Sequence, residues 1–347
     1  MEDKILFQCD YNEGAHTKIM ERLIATNMEQ TPGYGEDIYC TRAAEKIRTA
    51  CGDESLAIHF LVGGTQTNLT VIDAALRTHQ GVLCAVTGHI NVHETGAVEA
   101  CGHKVLGLPS KDGKVTAEQI RQACQAHRDN ESFEHMVQPG MVYISNPTEL
   151  GTLYSAQELQ AIYRACQEFG IYLFMDGARL GYGLAAPDND LTLPLISQNT
   201  DVFYIGGTKV GALFGEAVVI RNESLKKDFR YIMKQKGGML AKGRLLGLQF
   251  DELFTDDLYF TISERAIQLA EQIRAAIDQK GWPYLVENRT NQIFPIVPDE
   301  ALEKLGQRFG YSYDSRVDES HSAVRFCTSW ATKEESVEAL VKAITEL

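Results

Sequence analysis

Short, almost uncharged apolar runs alternate, over the first two-thirds of the chain, with longer stretches whose apolar residues recur every three or four positions. The runs cover residues 59–62, 81–86, 141–145, 171–175, 202–205 and 217–220. Each has the length of a strand buried on both faces, the kind a parallel sheet uses. Between them lie helical patterns. Residues 156–169 set Leu159, Ile162, Tyr163 and Cys166 on one face, and residues 68–79 read as a second helix. The alternation predicts an α/β fold, a mostly parallel sheet covered by helices on both sides. From about residue 255 the pattern changes. A long helix over 258–280 stops at Gly281, and strand-like runs at 291–297 and 323–327 follow, with helices between and after them. This predicts an N-terminal arm and large domain over 1–254 and a small α+β domain over 255–347.

The 347 residues suffice for two such cores. A formal net charge of -14, with no local stripe of Lys and Arg, argues against nucleic acid as a partner. No apolar run approaches the roughly 18–20 residues of a membrane span. The first residues lack the apolar core and small-residue cleavage site of a signal peptide. Eight cysteines are scattered without a C-x-x-C pair, which reads as free thiols in a reducing, cytoplasmic setting.

Three segments carry candidate chemistry. In Gly206-Gly207-Thr208-Lys209 a strand ends in small residues and delivers one lysine to the sheet edge where open α/β sheets bind ligands. Burial there favours the neutral amine, the form that attacks an aldehyde; a plain surface-loop lysine is the alternative. In Met175-Asp176-Gly177-Ala178-Arg179 an apolar strand ends on a carboxylate, which is costly without a partner. A pyridinium N–H is one such partner; a helix cap paired with Arg179 is another. In Val62-Gly63-Gly64-Thr65-Gln66 a strand enters a Gly-Gly turn ahead of a helix, suited to a phosphate but matching neither a Walker loop nor G-x-G-x-x-G. His89 and His93 have the i, i+4 spacing of a metal pair, but no third ligand is evident.

These segments, in this order, resemble the threonine aldolase family of pyridoxal-phosphate (PLP) enzymes, within the β-eliminating lyase group. The likeness extends from Cys9-Asp10-Tyr11 and 33–37 through Gly88-His89, Glu94-Thr95-Gly96, Asp176 to Arg179 and Thr208-Lys209 to Val324-Arg325-Phe326. It implies a fold type I large domain with a seven-stranded sheet, a homodimer or homotetramer with sites at subunit interfaces, and PLP as cofactor. It implies Lys209 as the Schiff-base lysine, Asp176 at the ring nitrogen and His89 stacked on the ring. Gly64, Thr65, Gln66 and Thr208 would serve the cofactor, and Arg179 both the cofactor and, with Arg325, the substrate carboxylate. Cys9 and Tyr34 would lie near the substrate. The implied reaction is aldol cleavage of L-threonine or L-allo-threonine to glycine and an aldehyde, a lyase step in threonine catabolism and glycine biosynthesis.

The chain departs from the family at several points. Cys9 stands where a serine is usual. The loop over 145–151 has no histidine, leaving Glu149 or His93 for that position, and Leu240 stands where an arginine reaches a neighbouring subunit's phosphate, leaving Lys234 or Lys242. The same cofactor also supports β-elimination, transamination and racemisation, depending on the bond held perpendicular to the ring. An inactive PLP-fold interaction module is the non-enzymatic alternative.

Overall fold

The structure is a computed structural model that describes residues 4–347. Seven strands form the main sheet: β1 (Ala57–Leu61), β2 (Gln80–Ala85), β3 (Lys104–Leu108), β4 (Gln138–Ser145), β5 (Tyr172–Asp176), β6 (Val202–Gly206) and β7 (Glu216–Ile220). Their order is β1-β7-β6-β5-β4-β2-β3. Strand β7 runs against both neighbours, and every other pair is parallel. Six of the strands coincide with the apolar runs. The seventh, β3, escapes a search for such runs because it lies at the sheet edge, with Lys104 exposed and Gly107 breaking its apolar sequence.

Strand residues alternate between two cores, as the two-residue period of a pleated strand requires. Val142, Ile144, Leu173, Met175, Phe203 and Ile205 face one side. Met141, Tyr143, Phe174, Val202 and Tyr204 face the other. Helices α1 (Gly64–Ala75), α2 (His89–Val92) and α3 (Ala156–Phe169) follow β1, β2 and β4. In α3, a reciprocal capping box between Ser155 and Glu158 opens the helix, and Gly170 in the left-handed region closes it.

Helix α4 (Leu258–Lys280) joins the main sheet to the C-terminal part. Its first half, including Tyr259, Ile262 and Ala266, belongs to the large core. Its second half, including Leu269, Ile273 and Ile277, packs with Phe7, Val297, Phe326 and Leu340 in a third core. The apolar run at 291–297 is divided into β8 (Gln292–Ile293) and β9 (Ile296–Pro298), because Pro295 between them has no N–H to give a ladder. Both pair with β11 (His321–Cys327), which also pairs with β10 (Ser312–Arg316). The N-terminal segment joins this layer: Ile5–Leu6 pairs with Phe309–Gly310, and the Cys327 N–H donates to the Phe7 carbonyl at 2.8 Å. Among the described residues no helix is long and apolar enough to cross a membrane.

Candidate active site

The C-terminal ends of the parallel strands open onto one edge of the sheet, where Asp176, Lys209 and the Gly63-Gly64 turn share a cavity of about 580 Å³, within the size range of small-molecule sites. Asp176 closes β5 with its carboxylate buried. The hydroxyls of Tyr143 on β4 and Tyr204 on β6 donate to it at 2.6 and 2.5 Å. The Ala178 N–H and the Asn68 side-chain amide add bonds of 2.9 and 3.2 Å. These four donors offset the cost of ending an apolar strand on a charge. The close approach of β5 to β6 depends on Gly177, where an added Cβ would lie 1.9 Å from the Tyr204 carbonyl oxygen.

Lys209 follows β6 through Gly207 and Thr208, its backbone carbonyl accepting from the Tyr182 hydroxyl at 2.6 Å. Its Nζ lies 5.9 Å from the centre of the Tyr11 ring. Burial pushes the ammonium below its ordinary value and Arg179 adds to the effect, while Asp10, Asp176 and Glu216 oppose it. On α2, His89 Nδ1 stands 2.7 Å from Glu94 Oε1, and the same carboxylate oxygen accepts from Asn68 at 2.7 Å. Asn68 thereby links the histidine to Asp176. Burial acts to lower His89, but Glu94 and Asp176 outweigh it and the imidazole is raised overall. Glu149 Oε1 accepts from the His89 backbone N–H at 2.9 Å and from Ser145 at 2.7 Å, and burial raises its carboxyl.

In the same cavity, α1 begins behind Gly63, whose position supplies no side-chain cap. The amides of its first turn are therefore free for an anion. Arg179 is committed to Asp10 by two bonds of 2.6 and 3.0 Å, so the arginine suggested as a cap partner for Asp176 pairs elsewhere. Arg325 on β11 donates to Gln292 Oε1 and the Gln8 carbonyl, while its Nε has no partner.

The cavity thus collects Gly64, Thr65, His89, Asp176, Arg179, Thr208, Lys209 and Arg325, all singled out from sequence. Three other candidates do not line it. The Gln66 side chain turns back, accepting from the Val62 N–H and donating to the Lys236 carbonyl, which leaves only its backbone facing the turn. Cys9 directs its thiol to Asn12 at 3.1 Å. Tyr34, held at a φ of 61°, lines a separate cavity with His59 and Arg230. Of the residues offered for the missing positions, Glu149 and His93 line the cavity, whereas Lys234 lies over the Tyr34 ring at 4.7 Å. Sequence reasoning missed Asn68, Tyr143, Tyr204 and Glu216. The tyrosines read as core residues, although a buried hydroxyl always needs a partner. Glu216 opens an otherwise apolar buried strand as Asp176 closes one, and that was the available signal.

These groups suit a planar aldehyde phosphate with a pyridine ring: the amine for the aldehyde, the carboxylate for the ring nitrogen, the helix amides for the phosphate. Fold and site together place the molecule among the pyridoxal-phosphate enzymes of aspartate-aminotransferase-like fold. Residues 10–299 match the beta-eliminating lyase family, and the chain belongs to it. It is 42% identical to the threonine aldolase of Leishmania major, with a TM-score of 0.96 over 99% of both chains. The low-specificity L-threonine aldolase of Pseudomonas aeruginosa is 29% identical over 97% of this chain and 96% of its own length. An aspartate aminotransferase mutant of Thermus thermophilus, 14% identical with a TM-score of 0.73 over 99% of this chain and 91% of its own, shares the fold.

Proposed function

We propose that the enzyme cleaves a β-hydroxy-α-amino acid of the L-threonine or L-allo-threonine type to glycine and the matching aldehyde. The observation that carries this reading is the meeting of Lys209, Asp176 and Arg325 in one cavity, in a chain so close to a threonine aldolase along its whole length. Bound pyridoxal phosphate supplies the electron sink that makes the Cα–Cβ bond breakable. In this reading Lys209 would hold the aldehyde carbon, Asp176 would pair with the ring nitrogen, and the amides of Gly64 and Thr65, with Thr208, would receive the phosphate. Arg325 would bind the substrate carboxylate with the planar fork suited to two oxygens. Arg179, fixed by Asp10, lines the same cavity. His89 donates its Nδ1 proton to Glu94, which leaves Nε2 as the base for the β-hydroxyl proton.

The chain is further proposed to act in the cytoplasm as a homodimer or homotetramer, with a large domain over 1–254 and a small one over 255–347. Its eight free cysteines, six of them buried, accord with a reducing compartment. The deciding experiment incubates the PLP-loaded protein with both threonine diastereomers and with phenylserine. Glycine and the matching aldehyde are expected, with no turnover by Lys209→Ala. A keto acid and ammonia in their place would move the function to elimination.

A further inference from the structure

Two arginines line the cavity, Arg179 and Arg325, and the fold treats them oppositely. Arg179 gives Nε and Nη2 to the Asp10 carboxylate at 2.6 and 3.0 Å, so its charge is matched inside the protein. Arg325 has no such match. Among the described residues no carboxylate oxygen comes within 4.0 Å of its nitrogens.

Strand pairing explains the contacts that Arg325 has instead. Ser312 on β10 stands opposite Arg325, and Gln292 on β8 stands opposite Cys327, two residues further along β11. Residues two apart on a strand share a face, which brings Gln292 beside the guanidinium. Nη1 donates to Gln292 Oε1 at 3.0 Å. Nη2 donates to the Gln8 carbonyl at 2.9 Å and weakly to Ser312 Oγ at 3.5 Å. All three acceptors are uncharged. Gln292 is 0% exposed and its Nε2 has no partner, so among the described residues the bond to Arg325 is the single hydrogen bond its side chain makes. The titratable groups that face Arg325 leave its charge standing too. Burial raises the Tyr11 phenol and the Cys327 thiol, and burial, His89 and Arg325 itself lower His93 at the end of α2, so all three are uncharged near neutral pH.

We propose that Gln292 is the positioning residue for the substrate carboxylate: it fixes the Arg325 guanidinium through a neutral acceptor and so keeps the whole positive charge for an incoming α-amino acid. A carboxylate at position 292 would hold the arginine as firmly but neutralise it, as Asp10 does Arg179. An apolar residue would leave the charge and lose the orientation that a planar fork needs to meet two oxygens. The ligand class follows. α-Amino acids with a free carboxylate are taken, and the corresponding amides, which bring no negative charge, are held less tightly.

The inference rests on the reading of Arg325 as the substrate arginine, and one experiment separates the two. Wild-type, Gln292→Glu and Gln292→Met holoenzymes are titrated with glycine and with glycinamide, each followed by the visible absorbance of the bound cofactor. The wild type should prefer glycine. In Gln292→Glu that preference should fall at least about tenfold, the worth of one hydrogen bond between charged groups, through weaker binding of glycine. Gln292→Met keeps the length and the charge but removes the acceptor, so glycine should weaken by a smaller factor than in Gln292→Glu, with glycinamide little changed. An unaltered preference in Gln292→Glu, or equal weakening of both ligands as a merely structural role would give, overturns the role of Gln292. Should Gln292→Glu not fold, Gln292→Met decides by the same two outcomes. A wild-type protein without preference for glycine overturns the reading of Arg325, and this inference with it. A clear preference without cleavage of threonine overturns the proposed reaction alone.

Discussion

Replacing Asp10 by asparagine removes a charge from the point where the N-terminal segment, the main sheet and the C-terminal strands meet. Asp10 is fully buried. Its carboxylate accepts from Arg179 at 2.6 and 3.0 Å and from Asn291 at 2.9 Å. Burial alone would raise the carboxyl, yet Arg179, Lys209 and the hydrogen bonds hold it at about 2 against an ordinary 3.8. At about 1.4 kcal/mol per pKa unit, a depression of this size corresponds to roughly 2 kcal/mol of stability. Deleting the side chain would cost more, ~3–5 kcal/mol, because Arg179 would be left buried with neither a counter-charge nor an acceptor. Asparagine preserves the volume and one acceptor, so the lower figure applies. Because the folded value is depressed, the contribution is complete above the unfolded value of about 3.9 and is lost as the pH falls through the folded value. Urea unfolding of both proteins at equal concentration measures it. Asp10→Asn is expected to be about 2 kcal/mol less stable at neutral pH, with a gap that holds in mild acid and narrows below about pH 4. Equal stability at neutral pH, or a gap that stays constant on acidification, would refute the argument.

Two further substitutions probe the site. Glu94→Gln withdraws the charge that raises His89 against its burial, so the acid limb of kcat/KM should move to lower pH, and kcat should lose part of the roughly 10²–10⁴-fold that a positioned base contributes; an unmoved limb would assign it to another group. The stabilising effect of His89 itself, whose folded value is raised, should be complete below pH 6.5 and fade as the pH rises through that folded value. Gly177→Ala would put a Cβ 1.9 Å from the Tyr204 carbonyl oxygen, so β5 and β6 must part, at a cost above ~4 kcal/mol; circular dichroism should find no cooperatively folded protein, and a normal melt would show that the strand ends can yield.

The reach of the sequence differs from element to element. Strand β5 and the run at 202–205 were legible because a strand buried on both faces admits almost no polar residue, so Asp176 at its end stood out at once. Strand β3, covered on one edge only, tolerates Lys104 and Gly107 and left no such trace. Helix α4 was legible from its period and its closing Gly281, but its division between two cores was not, since period reports a buried face and not what covers it.

Local pattern likewise fixed the types of group at the site: a lysine among glycines, a carboxylate closing a strand, a glycine turn ahead of a helix. Each is dictated by backbone geometry within a few residues. Which group partners which was decided by tertiary structure. Arg179 is adjacent in sequence to the Asp176 turn, yet binds Asp10 from 169 residues away. Asp176 is held by tyrosines from two flanking strands and by Asn68, 108 residues distant. Glu216 reaches the Lys209 cavity because β7 folds back against β6. Burial makes an unpaired charge or hydroxyl too costly to keep, so the fold must supply partners, and only the stacking of strands determines which residues are near enough to serve.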